Sequence, residues 1–305
     1  MYKTTMVSLV VIAFMMSMCG CSSDKSPTAP GTPKWRTMTS GTSENLFAVW
    51  GISSSDVFVV GQAGTIRHYN GTTWGSMTSG TTEALLGIWG SSASDVVAVG
   101  GNGTILHYDG TSWTPMTSGT TNYLNGVWGS SASDVFAVGL NGTILHYNGT
   151  SWSPMTSATP GNGFDGVWGS SANDVFVMAE DGIRHYNGTS WSTMTSGTTD
   201  PFGGVWGSSG SDVIAVGYNG TILHYDGTSW TPMTSGTTNY LDFVWGSSGT
   251  DVFAVGSNGT ILHYDGTSWT PMTSGTTNWV NCVWGSSGSD IYAVGDLGTM
   301  LHYGR

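Results

Sequence analysis

The sequence predicts an all-β fold: a seven-bladed β-propeller of four-stranded antiparallel blades, closed by the N-terminal strand completing the last blade. Three observations point there. A unit of about 39 residues recurs along the chain, the period expected of a blade array. Each unit holds four short β-type runs divided by turn signals. The array also begins on one kind of run and stops on another, so each end lacks what the other supplies.

The period is carried by side chains. Trp50, Trp89, Trp128, Trp168, Trp206, Trp245 and Trp284 each precede glycine. Six residues after each stands an aspartate: Asp56, Asp95, Asp134, Asp174, Asp212, Asp251 and Asp290. All seven histidines, from His68 to His302, lie 39 residues apart. A second tryptophan set (Trp35, Trp74 and onward to Trp269) and a methionine set (Met38 to Met272) keep the same interval.

Residues 124–157 show the elements in order. LNGVWG is an apolar run with a tight end, and SSAS after it reads as a turn. DVFAVG is rich in β-branched and aromatic residues that suit a pleated strand. Leu140-Asn141-Gly142 supplies a hairpin turn, TILHY a third strand, Asn148-Gly149-Thr150 another turn, and SWSPMTS the fourth strand. Strands of about five or six residues with connections of about four fit the usual ranges. At the N-terminal end of the array, Lys34-Trp35-Arg36-Thr37-Met38-Thr39 is a fourth-type run with no first three before it. At the other end, Met300-Leu301-His302-Tyr303 is third-type with no fourth after it. Pairing the two completes a seventh blade and leaves no exposed sheet edge.

Ahead of the array, Lys3 gives a positive start and Met6 to Met18 form an apolar stretch of 13 residues. That length suits the hydrophobic region of a secretory signal better than a membrane span. Met18-Cys19-Gly20-Cys21 followed by Ser22 resembles a bacterial lipoprotein signal. Gly20 before Cys21 satisfies its small-residue rule; Met18 before Cys19 does not. The resemblance implies a signal peptide over residues 1–20, lipidation at Cys21 and an outer-membrane address, with plain secretion as the alternative. Residues 21–34 are rich in Ser, Thr and Pro and read as a flexible tether, and residues 35–305 as the propeller.

Composition excludes other classes. Charged residues make up 9% of the chain and glycines number 47, too few and too many for a helical protein. Seven Lys and Arg against 19 Asp and Glu give a formal charge of −12, which repels phosphate backbones, so nucleic acid is set aside. Two of the three cysteines, Cys19 and Cys21, flank the apolar segment, and Cys282 stands alone, so no internal disulfide framework is expected.

Units of the form VWGSSxSDVFAVGxNGTILHYDGTSW resemble the repeats of secreted bacterial propellers, often lipoproteins, of the BNR and YCF48-like kinds. The resemblance covers residues 35–305; it implies the architecture and, since such proteins mostly lack one, no catalytic activity. Asp109-Gly110-Thr111-Ser112-Trp113 resembles the Asp-box turn of sialidase-type propellers. The surrounding spacing differs, so the turn is carried over without the chemistry.

Seven histidines invite a metal, but equivalent positions in neighbouring blades lie about 10 Å apart. Two imidazoles sharing zinc must each come within about 2 Å of it. Each histidine is instead expected to bond the nearby aspartate or a turn hydroxyl, which resembles the Asp–His–Ser/Thr–Trp networks of WD-repeat propellers. The aspartates then read as turn caps, with no DxDxDG-like oxygen cluster for calcium. The methionines read as packing filler and the tryptophans as inter-blade core. No metal, cofactor or catalytic residue is expected.

Variation among the units marks what the fold leaves free. It collects in the link between blades and in the middle hairpin, which emerge on the same rim because strand direction alternates. The link carries Glu44, Glu83, Asn122, Tyr123, Phe164, Asp165, Asn239, Tyr240, Asn278 and Trp279; the hairpin carries Glu180, Tyr218 and Asp296. These are the ligand-binding candidates, since aromatic faces beside amides and carboxylates stack on a sugar or anchor a protein. Unconstrained drift of loops is the competing explanation. Blade four, at Met178-Ala179-Glu180-Asp181-Gly182-Ile183, is one residue shorter than its siblings.

Three functions are compatible with this sequence. The first is a monomeric, envelope- or surface-anchored, non-catalytic binding or scaffold module for a protein or glycan. The second is a BNR-type glycosidase with Glu44 and Glu83 as its carboxylate pair. Sialidases of that group need an arginine cluster, and only Arg36, Arg67, Arg184 and Arg305 exist, scattered along the array. The third is a purely structural envelope component.

Overall fold

In the computed structural model, the described residues are 32–157 and 161–305. The signal, the lipidation site at Cys21 and most of the tether lie outside them. The array folds as seven four-stranded antiparallel sheets. In blade 1 the inner strand is Leu46–Ser53, followed outward by Asp56–Gly61, Ile66–Tyr69 and the outer strand Trp74–Met77. Blade 7 takes its first three strands from Val280–Ser287, Asp290–Gly295 and Met300–Gly304, and its outer strand from Lys34–Thr37. There Trp35 stands opposite Tyr303 and Thr37 opposite Leu301, which closes the ring as the sequence predicts. Each inner strand packs on the next, and that of blade 7 packs on that of blade 1.

Burial explains why the motif repeats. Residues Val57–Gly61 of the second strand are all buried, because both faces of a blade meet a neighbour. The Trp-Gly dipeptide is an inter-blade joint: a Cβ on Gly90 would stand 2.6 Å from the ring of Trp50 in the blade before, and one on Gly51 would stand 2.7 Å from Trp284. Each blade thus offers an indole and receives one. The outer tryptophans add a second layer, Trp113 lying edge-on to Phe58 of the preceding blade at 6.2 Å. Met77 and Met116 border these clusters as packing residues.

Every inner strand carries two β-bulges. In the first, Leu46 pairs with Gly61 and Ala48 with Val60, leaving Phe47 as the extra residue. In the second, Gly90 pairs with Val96 and Ser92 with Asp95, leaving Ser91. A bulge bends the strand and re-aims its extra side chain. The second one turns Ser91 onto Asp95, whose other oxygen bonds His107 Nε2 at 2.7 Å. The His–Asp bond recurs in all seven blades at 2.6–2.7 Å. The serine is absent from blade 1, where half-exposed Ile52 stands in its place. The network ends at the serine: the Nε1 atoms of the outer tryptophans, among them Trp113, are buried without a partner. In this respect it departs from the WD-repeat pattern.

Blade four compensates for its missing residue locally. Elsewhere the middle turn has three residues, as in Leu140–Gly142, with Asn141 in the left-handed region at φ 58. In blade four Ala179 pairs with Gly182, so Glu180 and Asp181 alone make the turn. Arg184 replaces the leucine of most third strands, is fully buried, and bonds Asp181. A buried guanidinium requires such a partner.

Candidate functional site

Blade links and middle hairpins share one rim and touch there. Gln62 N–H donates to the Asn45 carbonyl at 2.8 Å, and the Asn141 amide to Asn122 Oδ1 at 3.0 Å. Asn122, Asn239 and Asn278 donate their side-chain amides to Thr143, Thr260 and Thr299 at 2.8–2.9 Å. These three candidates therefore brace link to hairpin within their own blades.

Inside that rim, at the mouth of the axial channel, lies a cavity of about 430 Å³ walled by inner strands of all seven blades. The first bulge supplies its most variable wall. Phe47 and Leu86 form an apolar arc on blades 1 and 2; Asn125 and Asp165 follow on blades 3 and 4. Gly203, Asp242 and Asn281 complete the circuit on blades 5 to 7.

The carboxylates of this wall are held by neutral donors. The Asn125 amide donates to Asp165 Oδ1 at 3.0 Å, and that of Asn281 to Asp296 Oδ1 at 3.1 Å. Burial pushes the Asp242 carboxyl up to about 7; hydrogen bonds from Tyr240 and Trp279 offset part of this, and the charges of Asp165 and Asp296 add to it. Asp165 is raised as well, by desolvation foremost and by Glu180 in addition. Its surface is open to channel water, yet protein surrounds it on the other sides. The Cys282 thiol, buried against the same wall, is pushed up to about 12 by desolvation.

Tyr240 leans over the neighbouring blade 5 at the edge of the mouth because that blade carries a glycine there. A Cβ on Gly203 would stand 2.4 Å from the Tyr240 hydroxyl. Tyr240 meets Tyr218 at 4.5 Å between ring centroids and Trp279 edge-on at 5.6 Å, a continuous aromatic run across blades 5 to 7. Tyr218 is 50% and Trp279 37% exposed.

Of the candidates, Asp165, Tyr240, Trp279 and Asp296 line the cavity, and Tyr218 extends its aromatic edge. Tyr123 and Glu180 are exposed on the rim, while Glu44, Glu83, Asn122, Asn239 and Asn278 are half-buried and do not line the cavity. Phe164 is a correction: it is the first residue of the inner strand Phe164–Ser171, fully buried in the blade, and not part of the link. Asp165 belongs to that strand too, within its first bulge. Sequence reasoning missed Asp242, Asn125, Asn281 and Phe47. Their signal was the second position of the inner strand, which holds five different residue types across the seven units. Trp279 also had one: of fifteen tryptophans, it alone falls outside the two repeat sets.

No family model matches the sequence, and no curated protein matches it. Solved structures do. YCF48 bound to D1 peptide aligns with a TM-score of 0.75 at 14% identity, over 91% of this chain and 99% of that one. YCF48 from Cyanidioschyzon merolae aligns at 0.74 and 12%, over 89% and 98%. The WD40 propeller domain of Doa1 aligns at 0.77 and 14%, over 90% and 97%. What is shared at these identities is the fold, a β-propeller.

Proposed function

We propose that this propeller is a non-catalytic binding module whose ligand is an extended peptide, or a loop of a protein partner, seated on the variable rim over the channel mouth. One observation carries the reading. Several of the residues in which near-identical blades differ line one cavity, where linked aromatics stand beside carboxylates. The winding of the blades brings equivalent positions together whatever they carry; what favours a ligand over drift is their kind, aromatics and carboxylates where small polar residues would serve. The peptide in one of the similar YCF48 structures favours a protein ligand over a glycan.

The arginines support a non-catalytic reading. Arg36 donates to the Gly304 carbonyl, Arg67 to Ser76 and the Trp74 carbonyl, and Arg184 to Asp181. Each serves its own blade, so none of these is grouped to hold a substrate carboxylate. We further place the protein in the cell envelope, as a monomer anchored through a lipid on Cys21. The test is a pull-down from solubilised envelope with the wild type and a Tyr123→Ala/Tyr218→Ala/Trp279→Ala variant. A partner held by the first and lost by the second is expected; equal recovery by both refutes the rim assignment. Chromogenic glycosides should show no turnover, and Cys21→Ala should release the protein from the membrane fraction.

A further inference from the structure

We infer that the channel mouth is a socket for one positively charged side chain, an arginine or lysine projecting from the bound peptide. The inference rests on the peptide-binding reading above and names the chemistry of its ligand. Three carboxylates, Asp165, Asp242 and Asp296, line the cavity, and no Lys, Arg or His does. The repeat aspartates each face a histidine and Asp181 faces Arg184, whereas the turn aspartates and Asp200, held by neutral donors, stand separately on the surface. Here the donors are the neutral amides of Asn125 and Asn281 and the Tyr240 and Trp279 side chains. Such donors orient a carboxylate without cancelling its charge, so above about pH 7, with Asp242 ionised, the cavity keeps a negative field within low-dielectric walls.

The remaining walls suit the rest of a long cationic side chain. Tyr240 and Trp279 turn their hydroxyl and indole N–H edges to Asp242 and fix that carboxylate at the mouth. Phe47 and Leu86 on the opposite arc offer apolar surface for the methylene stem. A bare metal ion fits less well: among the described residues, no three His, Cys, Asp or Glu side chains converge closely enough to hold one. The volume of about 430 Å³ is near the low end for ligand pockets and admits a side chain, not a folded element.

The socket carries its own pH readout. Asp242 is faced by Tyr240, Trp279, Asp165, Asp296 and Cys282, none of them a cation. Protonating it below about 7 removes one negative charge, so a cationic ligand binds more weakly at pH 5.5 than at pH 8.

The experiment pans a random octapeptide phage library at pH 8 over the immobilised full chain, with the rim triple variant as control. Enrichment of arginine- or lysine-bearing clones is expected. Resynthesis of an enriched peptide with citrulline for arginine, or norleucine for lysine, should raise Kd about tenfold or more. Asp165→Asn/Asp242→Asn should weaken the parent peptide similarly, and Asp296→Asn serves if that variant does not fold. Binding at pH 5.5 should be several-fold weaker. Enriched clones without basic residues, or a neutral analogue that binds equally, overturn the socket and leave the peptide reading standing. No enrichment over the control overturns both.

Discussion

Because burial raises the Asp242 carboxyl to about 7, the folded chain retains a proton between about pH 4 and 7 that the unfolded chain has released. Its contribution to stability is therefore fully present below the unfolded value and is lost as pH rises through the folded one. Asp242→Asn should remove this dependence. The difference in melting temperature between variant and wild type should be near zero at pH 4 and favour the variant above pH 7. Asp109, Asp226 and Asp265 act with the opposite sign, their carboxyls lowered by backbone N–H donors of their turns, so only the difference between the two chains isolates Asp242. At the repeat network, His146→Phe leaves Asp134 without its 2.6 Å partner. A loss of about 1–3 kcal/mol is expected in denaturant unfolding, with binding unchanged. Spacing narrows the histidine's partner to the aspartate or a turn hydroxyl, since these recur with it in every unit, and the structure selects the aspartate. The missing tryptophan link was not legible, because spacing does not say where an indole nitrogen points.

At the scale of the element, the bulge decides what a strand can do. A regular inner strand alternates its side chains between two faces, and a sequence scan assumes that period. The link into blade 4 is one residue longer than its siblings, with Trp128 and Trp168 40 positions apart, and this shifts the apparent boundary so that Phe164 reads as link. The first bulge, present in every blade, turns the extra residue of the strand toward the channel, which an alternating pattern does not reveal at Asp242. Glycines mark the close approaches. Gly90→Ala drives a methyl into the Trp50 ring and should cost about 1–3 kcal/mol, read by thermal melting. Gly203→Ala has a different expected outcome. It displaces Tyr240 from Asp242, removes a donor to that carboxylate and weakens peptide binding. A variant with unchanged affinity would contradict the placement of Tyr240 at the edge of the mouth.

For the whole molecule, closure is the property to test. Deleting residues 32–40 removes the outer strand of blade 7 and exposes the edge of Met300–Gly304. The melting temperature should fall sharply, and an unchanged melt would contradict the closed ring. Trp35→Ala removes the buried indole that faces Tyr303 at 5.4 Å and should alone cost about 3–5 kcal/mol. The sequence by itself determined the blade number, the strand order, the closure and the rim on which variation gathers. These follow from a local pattern repeated every 39 residues or so, and a repeated pattern reads the same in each copy. Only the tertiary structure decided which varied residues meet. Asp165 and Asp242 lie 77 positions apart at the same place in the inner strands of blades 4 and 6, and no local pattern says that this place faces a shared cavity. Winding the blades about one axis brings both to a single mouth, and the bulges turn them inward. Desolvation by the surrounding walls, a property of the assembled ring alone, then sets their charge.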